Sequence, residues 1–185
     1  YDTIASMPAG ALRHLSDADM DAIVSYIRSL DTEGAPELPS SRFGPLARFA
    51  LLQGEFSTAA VEAADGSHMQ DQIEAQLAMA TTDEEHRGAY IATIVCTDCH
   101  GADLGGDPDG FDGATPDLRM TLAYSDSAFM VLMREGRAHD GRDIGTMGEV
   151  YERLDGFTDD DLRAVRAYAV ARASHMAGTS VEPDN

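Results

Sequence analysis

Two thiols and an imidazole stand within five residues, Cys96-Thr97-Asp98-Cys99-His100. Thiols one helical turn apart can each form a thioether with a vinyl group of the same porphyrin, while the adjacent imidazole turns inward onto the iron. That pattern is the attachment signature of c-type haem. Other uses of a Cys-x-x-Cys pair lack support in this chain. A thioredoxin-like dithiol wants a strand entering the motif, and the run into Cys96 reads as helix. A four-ligand structural zinc site needs a second ligand pair, and there is no further cysteine. Two cysteines three apart make no disulfide framework either.

An iron held by His100 on one side needs a sixth ligand or an open site, and that choice separates electron transfer from ligand chemistry. Met147 is the favoured sixth ligand. It lies 47 residues after His100 in Gly145-Thr146-Met147-Gly148, which reads as a flexible loop. Thioether sulfur is a soft ligand that favours ferrous iron and raises the reduction potential. Met130 and Met133, three apart on an expected helix, read as core filler, as does Met120. His139 sits beside Asp140 and Gly141 in a polar turn and reads as a surface residue. His14, His68, His86 and His175 read as exposed.

The elements that must position these groups are helices. Ser16 caps a segment with Asp17 and Asp19 in its first turn and Met20, Ile23, Val24, Ile27 and Leu30 at helical spacing. From Thr158 the same design recurs, with Asp159 to Asp161 and then Leu162, Val165, Tyr168, Ala169 and Val170. The two segments align without gaps at an offset of 142, Met20 opposite Leu162 and Tyr26 opposite Tyr168, so they form an internal repeat. A methionine precedes each cap, Met7 the first and Met147 the second. Asp83 opens a helix that runs into the Cys96 motif, and Ser125 caps another ending near Gly136. Pro36, Pro39 and Pro45 with Gly34 and Gly44 mark a linker, Leu46 to Gln53 a short helix, and 57–82 is ambiguous. Strand-type alternation is not visible over any useful length, so the fold is expected to be all-α.

These residues carry a resemblance. The run from Glu84 through Arg172 resembles a class I cytochrome c domain of the bacterial diheme type. The matching pieces are His86-Arg87-Gly88-Ala89-Tyr90, Cys99 through Gly106, Arg134-Glu135-Gly136-Arg137 with Asp140-Gly141-Arg142, and the closing Thr158-Asp159-Asp160-Asp161-Leu162. The resemblance implies a haem c attached at Cys96 and Cys99 with His100 and Met147 as axial ligands. It implies a helix crossing through Gly88 and Tyr168, and a proline carbonyl, from Pro108 or Pro116, holding the axial imidazole. Residues 1–32 resemble the closing part of a second such domain, with Met7 as its axial methionine and a second haem expected if an upstream attachment motif exists. The expected organisation is that remnant at 1–32, a linker at 33–80, a complete cytochrome c domain at 81–178 and a tail at 179–185.

The function so implied is that of a one-electron carrier rather than an enzyme, working with a respiratory or dehydrogenase complex on the periplasmic or extracytoplasmic face of a membrane. A diheme peroxidase-like enzyme with an open haem site is the alternative. The chain has 185 residues and a formal net charge of −20, with 13 cations that are all arginine. Such a charge argues against nucleic-acid backbones and anionic lipid surfaces as partners. Residues 1–80 carry 12 acids against 4 arginines and residues 81–185 carry 21 against 9, so the acidity belongs to the whole surface. A basic docking face on a redox partner is one explanation, and adaptation to high salt is the other. Arg134, Arg137 and Arg142 are candidates to neutralise haem propionates. No stretch approaches the roughly 20 apolar residues of a membrane span. The chain starts at Tyr1 rather than methionine, which reads as a processed product or fragment.

Overall fold

A hydroxyl before a run of acids is a strong helix start, because the side-chain oxygen accepts one of the otherwise unpaired first-turn N–H groups. The computed structural model, which describes residues 12–31, 44–53, 67–108, 113–142, 144–151 and 154–179, shows this device repeatedly. The chain divides into two compact units, Tyr1–His68 and Met69–Asn185. In the first, helix α1 (Asp17–Ser29) is capped by Ser16, whose hydroxyl accepts from the Asp19 N–H at 3.1 Å. It buries no residue of its own. Helix α2 (Pro45–Gln53) falls where the sequence predicts a short helix and leaves Leu46, Phe49 and Leu52 exposed.

The second unit is built on two long helices. Helix α4 (Asp83–Val95) starts from a capping box in which Thr82 and Glu85 each satisfy the other's backbone N–H. Helix α8 (Asp159–Thr179) starts from a reciprocal pair, the Thr158 N–H donating to Asp161 Oδ2 at 2.9 Å and the Asp161 N–H to Thr158 Oγ1 at 3.2 Å. The two helices cross at Gly88, where a Cβ would lie 1.9 Å from the Ala164 carbonyl oxygen and 2.9 Å from Tyr168 Cβ. Only a residue without a side chain permits that approach, so the expected Gly88 and Tyr168 crossing is present. Between them come α5 (Thr97–His100), a 3₁₀ turn (Leu118–Ala123), α6 (Asp126–Glu135), α7 (Thr146–Tyr151) and a second 3₁₀ turn (Leu154–Gly156). Gly136 closes α6 in the left-handed region at φ 65°. Among the described residues strand-like pairing is confined to isolated bridges such as Asp107–Thr115, so the fold is all-α.

Besides α2, a second helix lies inside the stretch 33–80 read as linker. Helix α3 (Ser67–Leu77) runs into the second unit and places Ile73, fully buried, and Gln76, 7% exposed, in its interior. The Tyr168 hydroxyl donates to the Gln76 backbone carbonyl at 3.2 Å, joining α3 to α8. The core forms two patches. Ile91, Tyr124, Phe129, Leu132, Tyr151, Leu154 and Val165 make one, and Ala80, Ala89, Ala92, Leu104 and Tyr168 make the other. Arginines close the ends of elements: Arg166 donates to the carbonyls of Thr121 at 2.8 Å and Tyr124 at 2.5 Å. Among the described residues no helix is long and apolar enough to cross a membrane.

Candidate functional site

The Cys96–His100 segment is a single helical turn, the His100 N–H donating to the Cys96 carbonyl at 2.9 Å. Cys96 is partly buried, Cys99 is exposed and His100 is 5% exposed. The chain then reverses at Gly101, φ 79°, and the Gly106 N–H donates back to the His100 carbonyl at 2.9 Å. At Gly106, φ 88°, a Cβ would lie 2.5 Å from the Thr115 carbonyl oxygen, so glycine lets the returning strand of the loop lie close. The Thr115 hydroxyl donates to the Cys99 carbonyl at 2.6 Å. This brings the next residue, Pro116, to the imidazole: His100 Nδ1 and the Pro116 carbonyl oxygen are 2.9 Å apart. Of the two prolines open from the sequence, Pro116 is therefore the one that holds the histidine, and Pro108 lies exposed in the turn.

A carbonyl oxygen only accepts, so Nδ1 carries the proton and Nε2 keeps its lone pair. That is the tautomer of a metal-ligating histidine with its outer hydrogen bond in place. His100 lines a cavity of about 420 Å³ together with Cys96 and Met147. Its walls are mostly apolar and include Leu118, Phe129, Leu132, Ile144 and Val165. Burial, with a smaller contribution from Cys99, pushes the Cys96 thiol up to about 12. Burial chiefly, then Tyr124 and Cys96, also raises the Tyr151 phenol, so both stay protonated and neutral. The cavity is thus dry-walled, uncharged over most of its lining and supplied with one imidazole lone pair and soft sulfur. This donor set fits a large apolar macrocycle with a central iron, and does not fit acid–base or thiolate chemistry.

Several expectations change. Met147 lies in a short helix, α7, rather than in a loop. The helix is seated by Tyr151, 4% exposed, whose ring meets the space beside Gly136 where a Cβ would be 2.6 Å from it. Met120 and Met133 line the same cavity, and Met120, at 40% exposure, is not core filler. Sequence spacing singles out neither: Met133 stands on ordinary helical periodicity in α6, and Met120 lies in the 3₁₀ turn Leu118–Ala123. Arg134 is occupied elsewhere, donating to the Phe157 carbonyl at 2.8 Å and pairing with Asp159. Arg137 pairs with Glu135, whereas Arg142 lines the cavity and pairs with Asp140 at 3.2 Å. His139 is exposed, with its ring 5.1 Å from that of buried Tyr124. Met7 lies outside the described residues.

A family model described as cytochrome c matches residues 85–170. The match includes Cys96, Cys99, His100, Pro116 and Met147 and leaves out Met7. No match is found among curated proteins or among solved structures.

Proposed function

We propose that this chain, whose residues 85–170 match the cytochrome c family model, is a c-type cytochrome that carries single electrons through an iron held by His100 and Met147. The observation that carries this reading is the 2.9 Å contact between His100 Nδ1 and the Pro116 carbonyl, which leaves Nε2 as a ligand in the same cavity as Met147. Haem c, which membership of the family implies, supplies the one-electron iron couple when bound. Cys96 and Cys99 tether it, and the apolar walls keep water from the metal. The Met147 sulfur stabilises the reduced state and raises the potential. Arg142, which lines the cavity, would offset the propionates of the bound haem.

The wider reading places the protein on the extracytoplasmic side of a membrane, where covalent attachment of this kind takes place. There it passes electrons to or from a subunit of a respiratory or dehydrogenase complex. The net charge of −20 supports a partner with a basic docking face, and encounter rates then fall as salt rises. A second haem, ligated by Met7, is expected if an upstream attachment motif exists, and the repeat of the α8 pattern in α1 supports it. The ratio of haem to polypeptide in the native protein tests it: two per chain is expected, and one overturns it.

The ligand assignment is tested in the oxidised protein. A weak far-red charge-transfer band from methionine sulfur to iron is expected, lost in Met147→Ala and kept in Met120→Ala and Met133→Ala. Met147→Ala also lowers the reduction potential. An unchanged spectrum in Met147→Ala overturns the assignment, and high-spin bands with peroxide turnover in the native protein would establish the peroxidase-like alternative.

A further inference from the structure

Arg172 is a guanidinium in the interior, 1% exposed, one turn after Tyr168 on α8. Burying such a group is costly unless its charge and N–H donors are answered. Nε lies 2.9 Å from Gln76 Oε1 and 3.0 Å from the Asp103 carbonyl oxygen. Nη2 donates to the same carbonyl at 2.6 Å, and Nη1 reaches Asp117 Oδ1 at 3.3 Å. The repeat carries Leu30 at the equivalent position, directly after the end of α1, so the shared pattern itself does not call for a cation here.

The partners of Arg172 are not scattered. Asp103 is three residues beyond His100, on the outgoing arm of the loop, and Asp117 directly follows Pro116 on the returning arm. Next to this clamp the Leu118 N–H donates to the Leu104 carbonyl at 3.0 Å, where Leu104 holds a left-handed φ of 57°. The guanidinium therefore spans both arms whose separation determines whether the Pro116 carbonyl meets His100 Nδ1. Arg172 and Gln76 both lie outside residues 85–170, while Asp103 and Asp117, the loop groups that Arg172 holds, lie within the stretch matched to the family.

We infer that Arg172, steadied by Gln76, is a positioning residue for the His100 imidazole, locking the two loop arms so that Pro116 accepts from Nδ1 and the reduction potential is held at its set value. The inference rests on the His100 ligation proposed above. A firm Nδ1–H···O bond makes the imidazole a stronger donor, which favours the oxidised metal. Loosening it raises the potential, whereas removing the positive charge lowers it. Arg172→Lys separates the two effects, since it keeps the charge and cannot span both arms.

The test uses the haem-loaded full chain. In Arg172→Lys the equilibrium for reduction should shift about tenfold toward the reduced form, the low end for outer hydrogen-bond partners of a metal ligand and equal to about 59 mV for one electron. Exchange of the His100 ring N–H with solvent, followed by NMR in the reduced protein, should quicken at least about tenfold. Gln76→Met, of similar volume and lacking the side-chain amide whose oxygen accepts from Arg172 and Tyr168, should move both readouts in the same direction by a smaller amount, and it serves if the lysine variant does not fold. A low-spin wild type whose variants leave potential and exchange unmoved, even with a lowered melting temperature, overturns the inference alone. A wild type without low-spin haem removes its premise and the inference with it.

Discussion

Helices α1 and α8 carry the same pattern and meet opposite fates. Met20 and Tyr26 are 42% and 66% exposed, while Leu162 and Tyr168, in the same register, are 1% and 2% exposed. Both helices are capped by a hydroxyl three residues before an aspartate, so the local signal is equally well satisfied in each. The difference lies in the surface that meets them. Helix α8 has Gly88, whose missing side chain admits the Ala164 backbone, and around that point Leu162, Ala164, Val165 and Tyr168 are buried. An amphipathic stripe specifies a helix and a face, and burial follows only where a partner of matching shape exists.

The largest test of this contrast is truncation of the shared tyrosine. Tyr168→Ala should cost about 3–5 kcal/mol in denaturant unfolding, whereas Tyr26→Ala should stay within about 0.5 kcal/mol. Equal costs would show that α1 is as deeply packed in solution as α8. Next, Gly88→Ala should cost about 3 kcal/mol, because its methyl group would collide with backbone rather than with a flexible side chain. The same experiment reads it, and a loss below about 1 kcal/mol would mean that the helices can part without penalty.

The caps give smaller effects. Thr158→Ala should cost about 1 kcal/mol and Ser16→Ala about 0.5 kcal/mol, the former also removing one of the hydrogen bonds to buried Asp161. Asp161 adds a dependence on pH. Burial alone would raise its carboxyl, but hydrogen bonds from the Thr158 backbone and hydroxyl, together with Arg87, outweigh burial and hold it below the usual carboxylate range. The unfolded chain therefore takes up this proton at a higher pH than the folded one. The stabilisation is present in full above the unfolded value of about 3.9 and is lost as pH falls through the lower folded value. Asp161→Asn should flatten the acid limb of the stability profile.

What could be read from the sequence was local. The Cys96 to His100 turn, the caps at Ser16, Ser125 and Thr158 and the stop at Gly136 are set by residues a few places apart. Pro116 could not be separated from Pro108, because the choice depends on how Gly106 and Thr115 fold the loop back. Helix α7 was missed because Gly145-Thr146-Met147-Gly148 has weak helix propensity, and the buried ring of Tyr151 overrides it. Arg172 did leave a signal, for it stands four residues after Tyr168 on the apolar stripe. Its partners, Gln76 and Asp103, lie 96 and 69 residues away, beyond the reach of periodicity.

The crossing at Gly88 also imposes an order of events on a newly made chain. Roughly 75 residues separate Gly88 from Ala164, and closing a loop of that length costs about 4 kcal/mol before any contact repays it. The thiols and imidazole of residues 96–100 belong to one turn and are made before α8. Val165 and Ala169, which complete the cavity wall, lie on α8. Anchoring chemistry is thus local, while enclosure must wait until α8 has been made.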